Sequence, residues 1–233
     1  MTDGNFRNAV QVREQNMLVM GEELGELYSA LWQELTSLHS KWGHYVVLFG
    51  TNPERIELLN STGAGFFAAV QTTLWNDTLI HLARMTDSVS SAGKPNLSFK
   101  RLALLIQQKE TASKVSELVD VALKRTAFAR DWRNRRIAHQ DLALALNTSL
   151  VPLASASRLQ VDDALDVLGK TLNCVSLYYF QSTTLFEFAA DSTSGGSVNL
   201  LHYLRAGFEV EEQRKLRRRS GALNPEDMKR RII

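Results

Sequence analysis

Cysteine is almost missing from this chain of 233 residues: Cys174 stands alone, which excludes an internal disulfide. It lies in the apolar run Leu172-Asn-Cys-Val-Ser-Leu-Tyr-Tyr-Phe180, a setting that suits a core thiol in a reducing compartment rather than a reactive one. Proline is scarce too, and Pro53, Pro95, Pro152 and Pro225 each fall between segments with helical apolar spacing, where a missing N–H does no harm. No uninterrupted apolar run approaches the roughly eighteen residues that cross a bilayer, so no membrane contact is expected. The first residues, MTDGNFRNAVQVREQ, lack the basic start and apolar middle of a secretory signal, and a cytoplasmic protein is the expectation. Charge of one sign is also lacking. With 27 Lys and Arg against 25 Asp and Glu, the net charge of +2 leaves any affinity for a polyanion to local placement.

Helical periodicity dominates what is present. Leu24, Leu27, Leu31, Leu35, Leu38, Trp42, Tyr45 and Leu48 recur at threes and fours and predict a helix over 22–49, ended by the Asn52-Pro53 step. A second long helix is predicted over 65–87, with Phe67, Val70, Leu74, His81 and Met85 on one face and Trp75, Leu79 and Leu82 on the next. It is apolar most of the way round, so Asp77, His81 and Arg84 need partners in a polar network of the core. After the turn-rich stretch 88–96 a short helix is predicted over 98–108. A longer one follows with Thr111 as its N-cap and runs into the segment 131–141. The stretch 142–159 reads as an irregular connection, and helix returns from Val161 to about Ala190. Ser192–Ser197 is a flexible break before a last helix from Val198 to about Arg219. There is no internal repeat and no strong strand signal. These readings give an all-α fold, a bundle of long antiparallel helices, as one domain over 1–219 with a basic tail over 220–233.

One segment departs from the even balance of charge. Between Lys124 and Arg136 six basic residues (Lys124, Arg125, Arg130, Arg133, Arg135, Arg136) face one acid, Asp131, an excess of five in thirteen positions. A basic solvated face is the plain reading, yet Trp132, Asn134 and His139 among the arginines favour a site. An imidazole titrates near neutrality, so it can take a proton from a ribose 2′-hydroxyl or give one to a leaving oxygen. A guanidinium stays charged, grips two phosphate oxygens and stabilises the charge that builds at phosphorus. Together they suffice for RNA cleavage without metal or other cofactor. On a straight helix Arg133 and His139 are separated by about 9 Å of rise and roughly 120° of rotation, which brings Arg135 or Arg136 closer to the histidine unless the helix unwinds or a second protomer completes the site.

Other chemistries find less support. No Glu-x-x-His pair serves a di-iron bundle; Asp77 and His81 have the spacing to share a metal but no further ligand set accompanies them. Gly63-Ala-Gly65 lacks the strand and third glycine of a nucleotide-binding loop. The basic run 214–219, with Lys229, Arg230 and Arg231, suits RNA phosphate or anionic lipid, though a solvated end is the plainer reading.

Arg133-Asn134 followed after four residues by His139 resembles the motif of HEPN domains, in which an Arg and a polar residue precede a His. The Leu31-Trp32 and Phe66-Phe67 segments and Leu200-Leu201-His-Tyr-Leu204-Arg-Ala-Gly207 are similar to the AbiU-like abortive-infection branch. The resemblance implies a helical bundle that forms a homodimer, with two motifs meeting in a basic cleft where RNA is cut without metal. It makes Arg133 and His139 catalytic and Asn134 their orienting residue, within a defence or toxin–antitoxin system, with an antitoxin or inhibitor protein as the expected partner. Some relatives carry a modifiable tyrosine two residues after the histidine. Here that position is Asp141, which either orients the histidine or caps a turn. Two readings from other classes stay open: a non-catalytic helical module that binds RNA or protein, and a structural dimer contact in which Arg133 pairs with an acid across the interface.

Overall fold

The structure, a computed structural model, describes residues 8–50, 52–139, 141–187, 196–222 and 224–225. Among them it is all-α apart from one small hairpin, Ser90–Ser91 (β1) paired antiparallel with Lys94–Pro95 (β2). The first helix, α1 (Ala9–Met20), has no counterpart in the sequence reading because its apolar residues do not form a continuous stripe. A capping box between Asn8 and Gln11 starts it. The chain turns at Gly21, whose φ of 88° suits glycine, into α2 (Glu22–Phe49). At Gly25 the two helices touch: a Cβ there would stand 2.5 Å from the Met17 Cα, so only glycine permits this crossing. All eight residues of the predicted α2 stripe are buried, with Leu31, Leu35 and Leu38 fully enclosed. Each such leucine contributes on the order of 2 kcal/mol through the apolar area removed from water.

The next helix, α3 (Pro53–Met85), starts well before the predicted Gly65. The Asn-Pro step that stops α2 also starts α3, since the Asn52 side chain accepts from the Arg55 N–H at 3.1 Å and Pro53 fills the first helical position. Gly63 leaves helical geometry and kinks the helix there. The two long helices are antiparallel, as predicted: Glu34 meets His81 and Arg84, Lys41 meets Asp77, and Leu48 meets Phe67 and Leu59.

The expected short helix over 98–108 is a 3-10 turn, Phe99–Arg101, followed by α4 (Leu102–Leu105). The long helix after it, α5 (Lys109–Arg125), is capped by Gln108, whose side chain accepts from the Thr111 N–H, so Thr111 lies inside the helix rather than capping it. Thr126 interrupts the run into the basic segment, and α6 (Ala127–Trp132) resumes it. The connection over 142–157 holds only the short α7 (Leu142–Ala145). Ser157 caps α8 (Arg158–Phe180), which lies against α5. It stops well short of Ala190 because Gln181 turns left-handed at φ 52°. The expected break over 192–197 lies largely outside the described residues. The last helix, α9 (Ser197–Ser220), is tied to α2 by His44 Nδ1 and Ser197 Oγ at 3.1 Å. Its Leu201 and Leu204 rest on a small second cluster of Leu48, Leu59 and Phe67. The expected boundary at 219 falls in the last turn of α9, and 226–233 of the expected tail lie outside the described residues.

The main core joins α2, α3, α5, α6 and α8. The polar network expected on α3 is present and draws its partners from α2. Lys41 Nζ lies 2.8 Å from Asp77, and Arg84 Nη2 lies 2.5 Å from Glu34. His81 Nε2 stands 2.7 Å from the same Glu34 oxygen but out of hydrogen-bonding alignment, and its Nδ1 has no partner. Burial, reinforced by Arg84, holds the His81 pKa below the usual imidazole range against the pull of Glu34. Cys174 is partly buried against the core, and desolvation raises its thiol pKa.

Candidate functional site

The basic segment sits where α6 ends, against the end of α3. After Trp132 the helix widens into a π turn, Arg133–Ile137, closed by the Ala138 N–H donating to the Arg133 carbonyl at 2.8 Å. The chain then bends at Ala138 and His139, and the Asp141 N–H returns to the Arg135 carbonyl at 2.9 Å. The straight-helix separation of Arg133 from His139 therefore does not apply, for the helix unwinds before the histidine.

Arg133 is held from two sides. Its Nη1 lies 2.5 Å from Asp87 Oδ2, and its Nε donates to Asn134 Oδ1 at 3.0 Å. Arg130 reaches the same acid at 4.0 Å and donates to the Thr86 hydroxyl and carbonyl at 2.9 and 3.1 Å. The buried Thr86 hydroxyl in turn meets that of Thr126 at 2.9 Å. A continuous polar chain thus runs from the α5–α6 break through the end of α3 to Arg133 and Asn134. With both partners of the Arg133 pair about three-quarters buried, it is held more firmly than a solvated surface pair.

The other basic residues divide. Arg135 braces the loop after α7: its guanidinium donates to the carbonyls of Val151 and Pro152 at 2.7 and 3.2 Å and to Ser149 Oγ at 3.2 Å, with Asp131 and Asp141 alongside. Asp131 and Trp132 hold the same loop through the Ala154 N–H and carbonyl at 2.8 and 2.7 Å. Arg136 is exposed and lies over the Trp132 ring, 5.1 Å from its centre. Arg125 pairs with Asp163 on α8 at 3.1 Å. The side chains of Lys124 and His139 are exposed and make no hydrogen bond among the described residues. The basic segment is therefore less cationic than its sequence, because Arg130, Arg133 and Arg135 are internally paired while Lys124 and Arg136 face water. Asp141 does not orient the histidine by any hydrogen bond. Its Oδ1 accepts from the N–H groups of Ala143 and Leu144 at 2.9 and 3.1 Å and caps α7.

The family model named HEPN_AbiU2 matches residues 21–199, most of the chain and all of this site. The chain belongs to the AbiU2 family of HEPN domains. Neither the curated proteins nor the solved structures yield a match. The helical fold agrees with that membership, and α1 and most of α9 lie outside the span matched to the AbiU2 family. Among the described residues no helix is long and apolar enough to cross a membrane. Nor do three or more His, Cys, Asp or Glu side chains gather where they would hold a metal ion.

Asp87 is the site residue that sequence reasoning missed. The helix predicted over 65–87 takes it in as its last residue without a role, whereas the structure ends α3 at Met85 and sets Asp87 two residues beyond. One signal was available: an excess of five positive charges on one segment of a balanced chain calls for acids from elsewhere, and the acid at the end of an apolar helix is well placed to supply one.

Proposed function

We propose that this AbiU2-family chain is a metal-independent endoribonuclease acting in a defence or toxin–antitoxin setting. Arg133 and His139 form its reactive pair, and Asn134 is the residue that orients the guanidinium. The observation that carries this reading is the anchoring of Arg133 between Asp87 and Asn134, with an exposed, uncommitted imidazole six residues on, beyond a π turn. A guanidinium held in place before substrate arrives stabilises developing charge without reorganising.

In the reaction, neutral His139 takes the proton of a ribose 2′-hydroxyl and that oxygen attacks the adjacent phosphorus. The bond to the 5′ oxygen breaks, and a protonated imidazole returns a proton to the leaving oxygen. The products are a 2′,3′-cyclic phosphate and a free 5′-hydroxyl. Arg133 meets the extra negative charge on the phosphorane, with Lys124 and Arg136 holding neighbouring phosphates. DNA lacks the attacking hydroxyl and is not cut. A homodimer brings two such motifs together and supplies base and acid from separate copies, and an inhibitor protein that covers the cleft would silence it.

A second reading draws on the same salt bridge: with Arg133 neutralised by Asp87, the segment serves as a non-catalytic module that binds RNA or protein. End-labelled cellular RNA incubated with purified protein in chelator separates the two. Cleavage by wild type, lost in His139→Ala and Arg133→Ala, supports the nuclease. RNA retention without cleavage in all three supports the module, and equal cleavage by all three points to a contaminant.

A further inference from the structure

A second concavity lies away from the basic segment, where α1, α2, the end of α8 and Thr184 meet. It encloses about 590 Å³, within the range of small-molecule sites. Ser176, on its wall, is thirteen residues along α8 from Asp163, the partner of Arg125, and that span is about 20 Å of helical rise. Its surface is mainly apolar, formed by Val12, Tyr28, Trp32 and Phe180, and the cation on its wall, Arg13, is already paired with Glu26.

The cavity's uncharged polar groups are held by the fold and leave specific valences open. Ser29 Oγ donates to the Gly25 carbonyl at 2.7 Å, so toward Asn16 it acts as acceptor. The 2.9 Å contact therefore comes from the Asn16 amide nitrogen. Asn16 is 94% buried, and its Oδ1 accepts no hydrogen bond among the described residues. The oxygen is therefore open to accept from a molecule in the cavity. Across the cavity, Asn173 pins the Thr184 backbone through paired bonds of 2.8 and 2.9 Å. The Trp32 indole N–H donates to the Thr184 hydroxyl at 3.3 Å, which leaves the hydroxyl hydrogen to donate. One fixed acceptor, one available donor and aromatic walls in one cavity describe a recognition site.

We propose that this cavity binds a neutral, planar aromatic molecule of the amide or lactam class. Its N–H is received by Asn16 Oδ1, its carbonyl by the Thr184 hydroxyl, and its ring lies among Tyr28, Trp32 and Phe180. The site is independent of the Arg133 chemistry. A ligand here fastens α1, which stands outside the matched AbiU2 span, to α2 and α8.

The test uses the full chain with benzamide as probe, read by saturation-transfer NMR and by the intrinsic tryptophan fluorescence that Trp32 contributes. Toluene, which lacks both polar groups, and benzoate, which lacks the N–H and adds charge, serve as comparisons. Benzamide is expected to bind at least tenfold more tightly than either and to be displaced in Val12→Trp, whose ring fills the cavity from its exposed edge. Asn16→Leu is expected to weaken benzamide about tenfold while leaving toluene unchanged; if that variant does not fold by circular dichroism, Val12→Trp and the ligand series still decide. Absence of benzamide binding, equal affinity for toluene, or full binding by folded Val12→Trp each overturns the proposal.

Discussion

Asp87, the second residue beyond α3, lies 2.5 Å from the Arg133 guanidinium at the start of the π turn. One carboxylate at the end of a core helix thus fixes the arginine on which the proposed chemistry depends, and Arg130 and Thr86 fix the carboxylate's surroundings in turn. In this arrangement Asp87 is a positioning residue.

Asp87→Asn is expected to slow RNA cleavage by about tenfold to a hundredfold, because misplacing a reactive group by about 1 Å has that effect. Asp87→Glu should restore part of the rate. The cost in stability should be about 1–3 kcal/mol, since the change leaves a guanidinium that is three-quarters buried with a weaker acceptor. Single-turnover rates beside thermal melts check this; an unchanged rate in a folded Asp87→Asn removes Asp87 from the site.

His139→Ala is expected to cost roughly 10²–10⁴ in rate, the usual worth of general acid–base catalysis. Stability should change by less than about 0.5 kcal/mol, as the side chain is exposed and makes no hydrogen bond among the described residues. A large loss of stability in this variant would contradict the structure.

Arg135→Ala tests the separation between bracing and contact. It removes the donors to Val151, Pro152 and Ser149 and should destabilise the chain by about 1–3 kcal/mol. Lys124→Ala and Arg136→Ala should instead leave the melt in place and lower the slope of log affinity for RNA against log salt by about one each. If Arg135→Ala changes the salt slope but not the melt, the assignment of roles is reversed.

His39 supplies a pH dependence unrelated to catalysis. It is partly buried and stacked on Phe186, its Nε2 has no partner, and desolvation lowers its pKa to about 4. The folded chain keeps this imidazole neutral while the unfolded chain takes up a proton below about pH 6.5. Stability is therefore lost as pH falls from about 6.5 toward 4 and is fully present above that window. His81 adds in the same direction. His39→Leu should flatten the acid slope by about 2 kcal/mol, allowing for partial exposure, as read from urea unfolding at pH 7 and pH 4.5.

Periodicity made α2 legible to the residue, and it made the antiparallel α2–α3 pair legible in type. It failed where capping chemistry ruled. Asn52-Pro53 reads as a stop, and only the Asn52 bond to Arg55 reveals it also as a start. Gln108 displaced Thr111 as a cap, and a left-handed Gln181 ended α8 in the middle of an apolar pattern. The α1 helix escaped because its burial depends on the close approach at Gly25, which no stripe announces.

By itself the amino-acid order determined the helical class, the α2 core face and the clustering of arginines before His139, because each is written in spacing along a single element. It did not determine what those arginines do. Asp87 and Arg133 are far apart in the chain, as are Arg135 and the carbonyls it braces, and a guanidinium responds to whichever acceptors surround it in space. Only the packing of α3 against α6 set one arginine at the candidate site and made another a structural brace.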